Sequence, residues 1–165
     1  MPRITKPTPI IAIDPGTNCG WAAISEHGDI MASGVFRLTP KRHESSGMRF
    51  IKFRSSLQSL IQSVKPGIIA YEEVRRHAGT DAAHIYGGII GILTTVAIDL
   101  RIEYHGIPVA TIKRHATGKG NASKEAMIAA ANRHWPDANI TDDNEADARW
   151  IADAAYKSLF EESNG

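Results

Sequence analysis

Only one of the 165 residues is a cysteine, Cys19, so no disulfide can form within the chain and nothing points to an oxidising compartment. The opening stretch from Met1 to Pro9 is polar and lacks the apolar core of a secretory leader. Long hydrophobic runs are scarce too. The longest, around Ile85 to Leu100, is interrupted by Thr94, Thr95 and Asp99 and reads as too short and too polar to span a membrane. Seven histidines fall at no zinc-binding spacing. Repeats, low-complexity tracts and linkers are missing as well. These absences predict a cytoplasmic protein without a membrane partner, folded as a single domain over 1–165 with 1–8 and 161–165 as flexible ends. An apolar fraction of 42% and a charged fraction of 22% are those of an ordinary globular chain, long enough to bury a real core.

Charge of one sign is also lacking, since the net charge is +1, but its distribution is uneven. Arg37 to Arg54 holds six Lys/Arg against Glu44 alone, and Tyr104 to Lys124 holds four Lys/Arg and no acid. Asp142 to Glu162 reverses this, with seven acids against Arg149 and Lys157. Basic patches beside an acidic cluster suit a metal-dependent enzyme acting on a polyanion. Unevenly charged, solvated helix faces give the same pattern without function.

The run Ile10-Ile11-Ala12-Ile13 ends abruptly in Asp14 and a Pro15-Gly16 turn, as a strand covered on both faces would. A carboxylate at the end of such a strand needs a cation, a donor or a proton. Cys19–Ser25 and Ile30–Phe36 read as two further strands joined by a turn at His27-Gly28-Asp29, giving an antiparallel meander. Met48–Val64 is a helix by spacing, ended by Lys65-Pro66-Gly67, and Ile68–Tyr71 is a strand running into Glu72 and Glu73. Asp81 is placed to cap a long helix reaching Leu100, with Gly87, Gly88 and Gly91 inside it where another backbone, the sheet or a second subunit, comes close. A last strand is expected around a His105-Gly106 turn, followed by a basic loop over Thr111–Asn121. A helix capped by Ser123 and a final helix from Asp143 to Phe160 complete the chain. This α/β order, a three-strand meander and then parallel strands in a mixed sheet flanked by helices, resembles the ribonuclease H-like fold.

Asp142 and Glu145 have the spacing of a capping box. Asp143 and Asp147, four apart, share a helix face with Trp150, Ile151 and Ala154, while Glu145 points almost oppositely. Two carboxylates thus lead a core-facing stripe. Asp14, a glutamate of the second acidic strand and Asp147 can converge, and an all-oxygen ligand set favours Mg²⁺ or Mn²⁺ over zinc. Two such ions would activate water for phosphodiester cleavage. Small residues leading to the acid on both strands favour Glu72 over Glu73, although strand parity leaves the choice open.

Ile13–Ala22 (IDPGTNCGWA), Ala70–Val74 (AYEEV), Gly106–Val109 with Ile112-Lys113 and Thr117–Lys124, and Asn144–Ala148 (NEADA) together resemble the motifs of RuvC-type Holliday junction resolvases, in order, over Ile10–Leu159. The resemblance implies a homodimeric endodeoxyribonuclease that nicks four-way DNA junctions in pairs, using two Mg²⁺ ions per site with Mn²⁺ as a substitute. On this resemblance Asp14, Glu72, Asp143 and Asp147 are the catalytic and metal-holding carboxylates and Lys113, Lys119 and Lys124 contact DNA, as Arg75 and Arg76 are expected to do from their place directly after the acidic strand. One departure stands out. The bacterial pattern has an acid three residues before the last aspartate, where this chain has Asn144, so Asp143, Asn144 and Glu145 compete for that place. The variant spacing resembles phage-borne members, which implies a bacterial or phage-infected cell. Rival readings are a YqgF-like RNA-processing nuclease, which shares the fold and carboxylates, an actin-like ATPase relative, and a junction protein that only binds.

Overall fold

The computed structural model describes residues 4–161. Residues 1–3 and 162–165, which belong to the ends expected to be flexible, lie outside the described residues. Within the first of those ends, the Ile4 amide donates to Glu103 Oε2 at 2.9 Å, which ties this stretch to a sheet edge.

β1 (Ile10–Asp14) is the middle strand of five, with every residue buried. It pairs antiparallel with β2 (Asn18–Ile24), which pairs antiparallel with β3 (Ile30–Arg37). On its other side it pairs parallel with β4 (Ile68–Glu73), and β4 pairs parallel with β5 (Glu103–Pro108), giving the order β3-β2-β1-β4-β5. Alternation then sorts the core into two halves. Ile10, Ala12, Ile68 and Ala70 face the layer formed by α3 (Val109–Thr117), α4 (Lys124–His134) and α5 (Asp143–Tyr156). Ile11, Ile13, Cys19 and Ile69 face α1 (Met48–Val64) and α2 (Thr80–Asp99) through Phe53, Leu57, Ile89 and Leu93. A strand buried on both faces needs an unbroken apolar run, and β1 has one.

Local signals set most boundaries. Gly28 takes φ 87° in the β2–β3 hairpin, a conformation that costs glycine little. Ser123 caps α4, its Oγ accepting from the Ala126 amide at 3.1 Å. Lys65 closes α1 in the left-handed region with its amide on the Ile61 carbonyl. At the end of α5 the chain continues through one widened turn, Lys157–Glu161, so the helical course reaches Phe160 as expected.

Four expectations are corrected. The cap of α2 is Gly79, with no side-chain hydrogen bond, and Asp81 lies inside the first turn. Its 20 residues hold an 18-residue window with a mean hydropathy of 1.4, long and apolar enough by length and composition to cross a membrane, because Thr94, Thr95 and Asp99 are outweighed by the rest of the window. No turn occurs at His105-Gly106, where β5 runs straight through. Gly106 instead makes room for the Tyr71 ring on β4, which a β-carbon there would meet at 3.1 Å. The basic loop is mostly α3. Pro108, with φ −60°, starts that helix, and Gly118, with φ 81°, ends it.

Candidate active site

The parallel register of β1 and β4 pairs Ala12 with Ala70 and Ile13 with Tyr71. Asp14 and Glu72 each lie two residues beyond one of those alanines, so both side chains leave the sheet on the α5 side. This settles the parity question for Glu72. Glu73 emerges on the opposite face, with Arg75 Nη2 3.6 Å from its carboxylate.

The start of α5 descends onto the same sheet end. Asp142 caps it, Oδ1 accepting from the amides of Asn144 at 2.8 Å and Glu145 at 3.4 Å. Alanines at 148, 152 and 155 share one helix face and are buried in the core on this side of the sheet, and their small size lets the helix lie close. The three candidates beside Asp147 go to different places. Asn144 meets β2 through its backbone, directly above Gly20. Glu145 turns to β3 and accepts from Ser33 Oγ at 2.6 Å, and Arg149 Nε donates to the same hydroxyl at 2.7 Å. Asp143 lies near enough for its charge to act on both Asp14 and Asp147.

Electrostatics mark this end of the sheet as overcharged. Asp14 is 7% exposed, and burial first, then the charges of Glu72 and Asp147, push its carboxyl well above the ordinary range. The hydrogen bond between the two carboxyls raises Asp14 and lowers Glu72, so a proton between them is favoured on Asp14. Glu72 is raised by burial, an effect partly offset by that hydrogen bond and by Lys113. Asp147 is pushed up to about 7, chiefly by burial and by the Glu72 charge. Among the described residues no three His, Cys, Asp or Glu side chains are gathered tightly enough to hold an ion as they stand. The hydrogen bond between Asp14 and Glu72 offsets part of their repulsion. A donor set of carboxylate oxygens, buried and short of positive charge, fits a hard divalent ion.

The basic residues divide into two groups. Lys113, on α3, acts electrostatically on Glu72 and Asp147. Lys124, at the start of α4, places Nζ 3.1 Å from Asp143 Oδ2. Arg75 and Arg76 are exposed just beyond β4, and His77 lies against the ring of Tyr86 with centroids 4.8 Å apart. Lys119 lies away from the acids and lines a groove with Asn121, Ser123 and Arg133.

Two supporting residues had little voice in the sequence. Tyr86, on α2, bridges the end of β4, its hydroxyl donating to the Glu72 carbonyl and accepting from the Val74 amide, both at 3.0 Å. Nothing in its neighbourhood in the chain points to that role. Gly20 was visible as a glycine inside an apolar strand, a signal of close backbone approach.

The fold has solved counterparts. "T. thermophilus RuvC in complex with Holliday junction substrate" superposes with a TM-score of 0.75 at 18% identity, over 92% of this chain and 95% of that one. The yeast mitochondrial Holliday junction resolvase Ydc2 gives 0.69 at 16% identity, over 98% and 83%. The mixed five-stranded sheet flanked by helices thus has the ribonuclease H-like fold of these structures. The family model "Crossover junction endodeoxyribonuclease RuvC" matches residues 10–153. Proteins of that name from Gluconobacter oxydans (strain 621H) and Brachyspira hyodysenteriae (strain ATCC 49526 / WA1) are each 30% identical, covering 87% and 86% of this chain and 86% and 89% of their own lengths. The chain belongs to the RuvC family of crossover junction endodeoxyribonucleases, which are metal-dependent nucleases.

Proposed function

We propose that this protein resolves four-way DNA junctions by paired, symmetric nicks, as a homodimer whose 1–165 chain acts as one nuclease domain in the cytoplasm of a bacterial or phage-infected cell. The observation that carries the reading is the meeting of Asp14, Glu72 and Asp147 at one sheet end, with more negative charge than the neighbouring lysines offset. These three and Asp143 would hold two Mg²⁺ ions, for which Mn²⁺ substitutes. When bound, such ions supply an activated water and charge stabilisation at the scissile phosphate.

The chain's own residues do the rest. Asp14 and Asp147, both raised by burial and neighbouring charge, would release their protons to solvent on becoming ligands. Lys113 offsets charge on Glu72 and Asp147 and is suited to a phosphate oxygen at the same place. Arg75 and Arg76 beyond β4, with Lys119 and Lys124 on the α3–α4 side, would hold arm phosphates. For the second subunit, α2 offers a face. Gly88 is accounted for by the Phe50 ring on α1, whereas Gly87 and Gly91 open onto free space and Ile98 and Leu100 are 59% and 51% exposed. A two-fold dimer matches the two-fold symmetry of a junction and so pairs the cuts.

The test offers labelled four-way junction, linear duplex and RNA to the wild type and to Asp14→Asn, with and without Mg²⁺. Symmetric junction nicks by the wild type, and binding without cleavage by the variant, are expected. Undiminished cutting by Asp14→Asn would overturn the site. Cutting of RNA alone would favour an RNA-processing enzyme.

A further inference from the structure

Behind the carboxylates lies a second ionic cluster that this chemistry does not use. Asp153, on α5, is 5% exposed. Its Oδ2 lies 2.7 Å from His115 Nε2 on α3 and 3.1 Å from Lys157 Nζ in the widened turn that follows α5. Burial on its own would raise this carboxyl, but the hydrogen bonds and charges of His115 and Lys157 hold it below its ordinary value. Asp153 is therefore an ionised acceptor, and His115 Nε2 is the donor. The His115 ring also stands edge-on to Trp150, at 5.9 Å between centroids.

α3 packs on α4, α5, β4 and β5 with few buried side chains of its own. It is nine residues long, and Ile112 is its one fully buried residue. Helices of that length do not persist alone, so tertiary contacts must set its rotation. Ile112 and His115, three apart, lie on one face, and Lys113 points off at an angle to it. A part-buried hydrogen bond to a carboxylate adds little stability over an apolar contact of similar volume, but its direction accepts only one alignment. An apolar pair would hold the helix in place and still let it turn.

We propose that the His115–Asp153 pair is a positioning device that locks the rotation of α3 so that Lys113 faces Glu72 and Asp147. The inference rests on the nuclease reading above. Its test is a double-mutant cycle on junction cleavage by the full-length protein with Mg²⁺ at saturating junction. His115→Ala should slow cleavage about tenfold, the size expected when a group beside the reacting atoms is misplaced. His115→Gln, which keeps a donor near the Nε2 position, should restore the rate to within about threefold. In a Lys113→Ala background His115→Ala should change nothing further, because the residue it positions is gone. Equal slowing by His115→Ala with and without Lys113 overturns the proposal, as does failure of the Gln variant to rescue.

Amide hydrogen exchange, read without DNA or metal, gives an arm independent of activity. Exchange in α3 should rise in His115→Ala and stay at the wild-type level in His115→Gln, with α4 and the start of α5 unchanged. Unchanged exchange in α3 overturns the proposal. A wild type that cuts no junction refutes the functional reading instead, and the exchange result still decides whether the pair holds α3.

Discussion

The backbone of Asn144 lies directly on Gly20, so a β-carbon at residue 20 would overlap the Asn144 carbonyl. Gly20 is also the β2 partner of Asp14. One glycine thus sets how far the start of α5 descends towards the central acid. Gly20→Ala should lift that end of the helix, costing about 1–3 kcal/mol as overpacking does and abolishing cleavage. Urea unfolding and a junction cleavage assay check both. Gly34→Ala is the contrast, since its β-carbon would meet the Trp21 side chain at 3.1 Å. A side chain can give way where a backbone cannot. Equal effects of the two substitutions would contradict this account.

The raised carboxyls make the metal-free protein sensitive to pH in a defined direction. Between the ordinary aspartate pKa and about 7, native Asp147 holds a proton that the unfolded chain has lost. Stability must therefore fall as pH rises through that window, by up to about 1.4 kcal/mol per pH unit, and level off above it. Asp14 and Glu72 are raised as well and act with the same sign. Denaturant midpoints in EDTA should be higher at pH 5 than at pH 8, and Asp147→Asn should flatten the difference. Because ions compete with these protons, Mg²⁺ should bind more tightly as pH rises through about 7. A metal-free protein that grows more stable over this range would sink the electrostatic account.

Tyr86 supports Glu72 through the backbone. Its hydroxyl joins the Glu72 carbonyl to the Val74 amide, and Tyr86→Phe removes both bonds while keeping the ring. The expected loss of stability is about 1–3 kcal/mol, with one part-buried amide left unpaired. Cleavage should slow at saturating junction while binding without metal stays the same. A fall in binding equal to the fall in rate would show that Tyr86 serves the DNA surface instead.

Gly91 separates packing within one chain from contact between two. With nothing within 4 Å of where its β-carbon would stand, replacing it by alanine should strengthen α2 in a monomer, by roughly 1 kcal/mol of helix propensity. Gly91→Leu places a large side chain on the face offered to a second subunit. Sedimentation should then show a weaker dimer with monomer stability intact, and nicks should lose their pairing. A dimer unaffected by Gly91→Leu would move the interface elsewhere.

The acids were legible in the sequence because they obey local periodicities. Asp14 and Glu72 follow alternating strands, and Asp143 and Asp147 follow the i,i+4 rule on a helix. The strand meander and the parallel β4 read correctly for the same reason. What failed was set across the fold. Gly106 looked like a turn because its partner, the Tyr71 ring, belongs to another strand. α3 looked like a loop because its basic residues and flanking Pro108 and Gly118 outweigh one buried isoleucine, and its support comes from α5. Where Asn144 and Glu145 sit is set by Gly20 and Ser33, more than a hundred residues away.

The lone cysteine has a practical value. Cys19 is fully buried on the α1–α2 face of the sheet, and burial together with the Asp14 charge pushes its thiol far above the ordinary range. In the native protein it should ignore thiol reagents, because almost none of it is thiolate. Its modification rate would then clock the opening of the β1–β2 ladder, reporting the local free energy of the strand that carries Asp14. The molecule holds its own single-site probe of how firmly its acidic centre is built.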